Sequence, residues 1–339
     1  MKLVVTSDNP APEGAVFCEL TTRDGANLRA VRWPGREAAR GTVVVLPGRA
    51  EFIEKYFEVI GELLARGFTV VALDWRGQGL SERQLSNRRK GHIDDFEIYE
   101  RDLAALRELV LEPSCPAPWF ALGHCMAAAI LIGQARAGRS PFARIVATSP
   151  LIDLHRLRFK SAARTFVEAL DIIGLGGAYV PGGRGRSVFL KPFADTLLTS
   201  DKVRYERTKG VLQSAPELAV GDPTIGWTNA AFRLMRQFED ADYARRTLTP
   251  ILVIAAGADR VVSTPAIERF ASRLKAGRFI TIPFACHDIL TERDQFRAQF
   301  WAAFDAFIPG VEDRLARTLL SLPGAPRRRR RFWPWAAAS

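Results

Sequence analysis

The chain has little cysteine and little histidine. Its 339 residues include four of each. The cysteines lie far apart with no C-x-x-C pair, and the histidines show no metal-ligand spacing. These absences argue against a disulfide framework and against a zinc site, so we expect neither a metal nor another cofactor.

Long apolar runs and nucleic-acid-binding motifs are also missing. No stretch approaches the roughly 18 consecutive apolar residues that a membrane helix needs. The N-terminal segment has one Lys and a very short apolar run, which is not the pattern of a secretory signal, so we expect a cytoplasmic protein. Without an RRM, KH, helix-turn-helix or zinc-finger signature, nucleic acid is not an expected partner despite the net charge of +11.

Much of the positive charge is concentrated at the C-terminus. Arg327–Arg331 form one basic block, followed by Phe332, Trp333 and Trp335. Basic residues beside Trp suit the surface of an anionic membrane. We therefore predict peripheral contact of this tail with the inner face of the membrane, with a solvated tail as the alternative.

Short apolar runs rich in Val, Ile, Leu and Phe alternate with segments of helical length. Such runs, without polar alternation, are typical of strands buried on both faces of a parallel sheet. An Asp24-Gly25 turn between two further runs predicts an opening antiparallel hairpin. The sequence therefore predicts the α/β class with a doubly wound, mostly parallel sheet. The hairpin runs are 16–22 and 26–33, the buried runs are 42–48, 68–75, 118–124, 143–150, 250–257 and 278–284, and the helical segments are 51–66, 95–111, 126–138, 264–275 and 291–307.

The alternation stops between residues 153 and 245. This stretch contains no convincing buried strand, so it is predicted to form a helical cap inserted above the sheet. A second independent domain is the alternative. We predict a core of residues 1–152 and 246–312, a helical cap of residues 153–245, and a C-terminal extension of residues 313–339.

The sequence Gly123-His124-Cys125-Met126-Ala127 follows a buried run and begins a helical segment. In enzymes with a nucleophile elbow, the motif G-x-S-x-G occupies this position between a strand and a helix. Small residues on either side of the nucleophile let the backbones of the strand and the helix approach closely. Cys125 stands where the nucleophile is expected, and a helix N-terminus stabilises negative charge on sulfur. A buried structural cysteine is the alternative.

A nucleophile of this kind needs a base, and the base needs a carboxylate that orients it. His287 and Asp259 each follow a late apolar run, so both are predicted at the carboxyl ends of strands, where ligands bind in such sheets. Asp288 and Asp153 are the rivals of Asp259 for the role of the acid.

The oxyanion of an acyl-transfer intermediate needs two backbone donors. We predict the N–H groups of Met126, directly after the nucleophile, and of Arg49, in the loop after the run 42–48. The Arg49 side chain is given no role at this point.

Several segments together resemble α/β-hydrolases of the bacterial lysophospholipase and monoglyceride lipase type. PGRAEFIEKY (47–56) is similar to the family's HGxxEhxxRY segment, and DWRGQGLS (74–81) is similar to its DxRGHGxS loop. GHIDDFEIYERDL (91–103) matches the segment before the next helix, and LTSDKVRY (198–205) with PELAVGDPTIGW (216–227) resembles the cap of the lysophospholipase branch. The resemblance covers about residues 15–310. Cys125 and Ala127 depart from the family pattern.

The resemblance implies the α/β-hydrolase fold and cleavage of a carboxylic ester that carries one acyl chain, under a cap with an apolar acyl channel. The predicted function is therefore hydrolysis of a small-molecule acyl ester by a Cys125-His287-Asp259 triad. The alternatives are a non-catalytic protein that binds an acyl ligand and an enzyme that transfers the acyl group to an acceptor other than water.

Overall fold

The structure is a computed structural model that describes residues 2–35 and 40–309. The whole of the predicted C-terminal extension, including the basic block and its tryptophans, lies outside this range. The prediction of membrane contact through the tail therefore stays a prediction. None of the described helices is long and apolar enough to cross a membrane.

One sheet organises the described chain. Its spatial order is β1-β2-β4-β3-β5-β6-β7-β8, and the first two neighbouring pairs, β1 with β2 and β2 with β4, are antiparallel whereas all later pairs are parallel. The predicted hairpin is the β1-β2 pair, and the predicted mostly parallel α/β sheet is confirmed. The strands are β1 (Val16–Thr21), β2 (Asn27–Trp33), β3 (Thr42–Leu46), β4 (Thr69–Leu73), β5 (Trp119–His124), β6 (Arg144–Thr148), β7 (Ile251–Ala256) and β8 (Gly277–Ile282).

Helices flank the sheet on both sides. Each predicted helical segment contains a helix, but α1 begins at Phe57, after a 3₁₀ turn at Ile53–Tyr56. The Ile53 N–H donates to the Asp74 carboxylate, and this contact ties the chain to a neighbouring loop before the helix can begin. The helices are α1 (Phe57–Ala65), α2 (Ile98–Leu106), α3 (Glu112–Ser114), α4 (Met126–Arg136), α5 (Lys160–Leu170), α6 (Lys202–Ser214), α7 (Ile225–Phe238), α8 (Ala241–Arg245), α9 (Thr264–Ala271) and α10 (Asp294–Phe307).

The central strands are apolar on both faces because each face is covered. In β3, Val44 belongs to one apolar core with α4 and α7, whereas Val43 belongs to a second core with α1 and α10. Successive side chains of a strand point to opposite faces, so uninterrupted apolar runs are the expected signature of this burial.

Four helices, α5 to α8, lie in the chain between β6 and β7, where the sequence predicted a helical cap. Buried side chains of α7, such as Phe232 and Met235, share one apolar core with α4. This continuity disfavours the alternative of a second independent domain. The exact division at residues 153, 246 and 313 stays a prediction.

Candidate active site

The sheet brings three distant residues to the same edge. Cys125 follows β5, Asp259 comes shortly after β7, and His287 comes shortly after β8. The three strands run parallel, so their carboxyl ends meet on one side of the molecule. Ligands bind at this edge in open α/β sheets.

Cys125 lies on a strained turn between β5 and α4. Its backbone has φ 50° and ψ −108°, an unusual conformation for a residue other than glycine. Its N–H donates to the Thr148 carbonyl at 2.9 Å, and its carbonyl accepts from Leu151 N–H at 3.1 Å. These bonds hold the turn in place. A Cβ at Gly123 would come within 2.6 Å of Leu131 Cδ1, so the strand and helix approach closely only because this residue is glycine.

His287 is held by a buried carboxylate. Its Nδ1 lies 2.8 Å from Asp259 Oδ2. The other carboxylate oxygen of Asp259 accepts from the backbone N–H groups of Val261 and Val262 at 2.7 and 2.9 Å. Burial alone would raise the pKa of Asp259, but His287 and these donors hold the pKa below its usual value. Asp259 is therefore a fixed carboxylate facing the imidazole.

Cys125 also acts on the His287 imidazole. Burial alone would lower the pKa of His287, but the Asp259 carboxylate and the neighbouring Cys125 sulfur, acting by charge and hydrogen bonding, hold the pKa well above its usual value. Cys125 is itself only 8% exposed. The structure thus places Asp259 against His287, with Cys125 at the same edge of the sheet, and the assignment of the three as a catalytic triad stays a prediction.

The two rival acids have other partners. Asp288 Oδ1 lies 3.0 Å from His124 Nε2, and its Oδ2 accepts from Lys55 Nζ at 2.6 Å. Asp153 pairs with Lys160 at 2.8 Å. Neither is the carboxylate that contacts His287, although Asp288 is its sequence neighbour.

The two predicted oxyanion donors come from different elements. Met126 is the first residue of α4, and Arg49 lies in the loop after β3. Among the described residues, neither backbone N–H has a hydrogen-bond acceptor. Gln78 fixes the Arg49 loop, because its Nε2 donates to Gly48 O at 2.7 Å and its Oε1 accepts from Ala50 N–H at 3.1 Å.

A buried group of charged side chains lies next to the triad, and the sequence reasoning did not find it. Lys55 forms ion pairs with both Glu51 and Asp288, and the side chains involved are only 2–3% exposed. His124 joins the group through Asp288, and its ring centroid is 4.7 Å from that of His287. Glu51 also accepts from the Gly48 N–H, so this group joins the loop after β3 to the region of the predicted base.

His124, His287 and Asp288 also place potential metal-ligand atoms within 4.8 Å of one another. The donor set does not fit a metal site well. One His124 nitrogen is engaged by Asp288, the other by Thr148, and Asp288 also holds the ammonium of Lys55. A metal ion would have to displace these contacts beside a buried cation.

The Arg49 side chain, to which the sequence assigned no role, is engaged between the loop after β3 and the α7 region. Its Nη2 donates to the Gly221 carbonyl at 2.8 Å, and its Cζ lies 5.0 Å from the Trp227 ring centroid. Spacing along the sequence cannot show these contacts, because residues 221–227 reach this loop only through the three-dimensional fold.

The sheet, the elbow and the edge at which the three residues meet define the class of protein as an α/β-hydrolase. Residues 37–294 match the family described as serine aminopeptidase, S33, and the chain belongs to this family. It is similar to lysophospholipase L2 of Escherichia coli (strain K12), with 32% identity over 83% of each chain.

Other relatives agree with this classification. Monoglyceride lipase of Homo sapiens is 25% identical, over 71% of this chain and 73% of that protein. A soluble variant of monoglyceride lipase from Saccharomyces cerevisiae, solved in complex with a substrate analog, shares the fold with a TM-score of 0.66 at 17% identity; the match covers 86% of this chain and 96% of that one. The predicted resemblance is confirmed, and the chain is a carboxylic ester hydrolase.

Proposed function

We propose that this hydrolase cleaves the ester of lipid-like substrates with one acyl chain, of the lysophospholipid or monoacylglycerol class, through a Cys125-His287-Asp259 triad. The observation that carries the proposal is a buried imidazole held at 2.8 Å by Asp259, at the same edge of the sheet as the sulfur at the elbow. The names of the relatives, lysophospholipase and monoglyceride lipase, support the substrate class.

In the proposed acylation step, His287 accepts the thiol proton of Cys125 and the sulfur attacks the ester carbonyl carbon. The π electrons of the carbonyl move to its oxygen, and a tetrahedral oxyanion forms. The N–H groups of Arg49 and Met126 stabilise this charge, because fixed donors in a dry site do not have to reorganise as the charge develops.

Collapse of this intermediate decides whether the enzyme turns over. Thiolate is a better leaving group than alkoxide, so the intermediate returns to substrate unless the alcohol oxygen is protonated as its bond to carbon breaks. Protonated His287 supplies that proton, and its raised pKa keeps the proton available. The products of this step are the free alcohol and a thioester on Cys125.

In the deacylation step, His287 removes a proton from water, and the resulting hydroxide attacks the thioester carbonyl. The second tetrahedral intermediate expels the sulfur of Cys125, which regains a proton from His287. The fatty acid leaves. The sulfur is a good leaving group here, so we expect this half of the cycle to be the easier one.

The test is a panel of monoacylglycerols, lysophospholipids and matched thioesters, assayed on the wild type, Cys125→Ala, Cys125→Ser and His287→Gln. We expect Cys125→Ala and His287→Gln to lose turnover on every substrate. Full esterase activity in Cys125→Ala would overturn the proposal. Cys125→Ser separates an attenuated esterase, which gains activity with Ser, from chemistry that depends on sulfur, which loses it.

A further inference from the structure

Arg49 is a half-buried cation without a matching anion. It forms no ion pair with any carboxylate of residues 2–35 and 40–309, and its Nε is buried with no hydrogen-bond partner there. Burial lowers the pKa of Arg49 to about 10. Buried charges are normally paired, and each unsatisfied buried donor in a native structure requires an explanation.

A second buried polar atom without a partner lies in the same region. The Oη of Tyr179 is buried and has no hydrogen-bond partner in the described part of the chain. The backbone of Tyr179 pairs with Thr224 in an isolated β-bridge, and the Arg49 side chain contacts Gly221 and Trp227. A Cβ at Gly185 would lie 3.1 Å from Tyr179 Oη, and a Cβ at Gly221 would lie 2.6 Å from Gly185 Cα, so the two unpartnered donors belong to the same region around Gly221.

The charge around these two donors favours an anion. Lys90 Nζ lies 5.3 Å from the Tyr179 ring centroid and donates to Gly177 O at 2.7 Å. Asp222 opposes this charge, but one of its oxygens accepts from the Arg184 N–H at 2.8 Å and it forms no ion pair with Arg49. A ligand that brings acceptor oxygens and negative charge would satisfy both free donors.

This region adjoins the reacting atoms. The Arg49 side chain leaves the same residue whose N–H we assign to the oxyanion hole, and Cys125 is among the groups whose charge acts on the guanidinium. In a lysophospholipid, the phosphate is separated from the ester by the short glycerol unit, whereas the acyl chain extends in the other direction. A monoacylglycerol has no charge to offer.

We propose that Arg49 and Tyr179 bind the phosphodiester of a lysophospholipid head group and so make this hydrolase selective for lysophospholipids over monoacylglycerols. This inference rests on the proposed function. Arg49 Nε and Tyr179 Oη each donate to a phosphate oxygen, and Trp227 supports the guanidinium from its other side. Arg49 is then a residue that determines specificity, apart from the role of its backbone.

The first experiment compares kcat/KM for a lysophosphatidylcholine and a monoacylglycerol with the same acyl chain. We expect the ratio to fall about 10- to 100-fold in Arg49→Met, which loses a charged donor, and about 3- to 10-fold in Tyr179→Phe, which loses a neutral one. Arg49→Lys keeps the positive charge but lacks the planar guanidinium group. The kcat/KM ratio of this variant should therefore lie between those of Arg49→Met and the wild type. The ratio cancels effects common to both substrates.

Arg184→Met is the matched control, because it removes an exposed positive charge from the same region. Its ratio should stay within about 2-fold of the wild-type ratio. An unchanged ratio in both Arg49→Met and Tyr179→Phe would overturn the inference. A fall in Arg184→Met as large as in Arg49→Met would also overturn it, because general positive charge would then explain the selectivity.

Binding of uncleavable ether analogues separates this inference from the proposed function. Calorimetry would compare a short-chain alkylglycerol with the same ether bearing phosphocholine, and inorganic phosphate alone. We expect at least 10-fold tighter binding of the phosphocholine ether, and loss of that advantage in Arg49→Met. Equal binding of both ethers, or equally tight binding of inorganic phosphate alone, would refute a head-group site. Head-group-selective binding without any ester turnover would instead refute only the proposed function.

Discussion

Replacing Asp259 with Asn is the substitution whose effect the geometry specifies most fully. Asp259 Oδ1 accepts two backbone N–H groups, from Val261 and Val262. In the variant, the amide oxygen has to keep this position, because an NH₂ group there would face two donors. The NH₂ group then faces His287 Nδ1 and forces the imidazole to accept there. The ring proton moves to Nε2, the nitrogen that the mechanism needs free to take a proton from Cys125.

The size of the effect follows from this change of tautomer. In a Ser-His-Asp triad the same substitution lowers kcat about 10⁴-fold. A thiol depends less on its base than a hydroxyl does, so we expect a loss of about 10²- to 10⁴-fold in kcat/KM for a monoacylglycerol or lysophospholipid. Asp153→Asn is the control and should stay within about 2-fold, because surface ion pairs contribute little. Wild-type activity in Asp259→Asn would refute the assignment.

The same variant changes how stability depends on pH. The pKa of His287 is raised above 6.5 and that of Asp259 is lowered below 3.8. The contribution of His287 to the free energy of unfolding is fully present below pH 6.5 and is lost as the pH rises through the raised pKa of His287. The contribution of Asp259 is fully present above pH 3.8 and is lost as the pH falls through the lowered pKa of Asp259. Urea unfolding should therefore show the largest deficit of Asp259→Asn, about 1.5–3 kcal/mol, between these two pH values. A deficit that is constant from pH 3 to 10 would contradict this coupling.

Two further predictions concern buried groups near the triad. Lys55→Met removes the cation that pairs with the buried carboxylates of Glu51 and Asp288, so urea unfolding should show a loss of about 3–5 kcal/mol in the free energy of unfolding. A loss below about 1 kcal/mol would contradict this prediction. Iodoacetamide should alkylate Cys125 faster than Cys286 and abolish turnover in parallel, since burial and a nearby acid raise the pKa of Cys286 to about 11. Peptide mass spectrometry against residual activity checks this order, and activity that survives full Cys125 alkylation would contradict it.

The fold could be predicted from local sequence because its signals are local. Apolar runs without alternation marked the strands β3 to β7, which are buried on both faces, and the Asp24-Gly25 turn marked the hairpin. The run 278–284 was also predicted as buried, but β8 lies at the edge of the sheet, and most of its residues are half-buried or exposed. The start of α1 was less predictable, because a contact between Ile53 and Asp74 in a different loop delays the helix.

The site was only partly predictable for the same reason. Cys125, Asp259 and His287 each follow an apolar run, and strand ends carry site residues in this architecture. The Lys55-Asp288 pair joins residues 233 positions apart, and no spacing rule indicates which buried charges meet.

The central claim is tested most directly by trapping the acyl-enzyme. Full-length protein is mixed with a lysophospholipid or a monoacylglycerol, quenched in acid within one turnover, and analysed by mass spectrometry before and after digestion. The account predicts one added acyl group on the peptide containing Cys125, removable by neutral hydroxylamine and absent in Cys125→Ala. Continued turnover by Cys125→Ala, with no acyl group on Cys125 in the wild type, would contradict it.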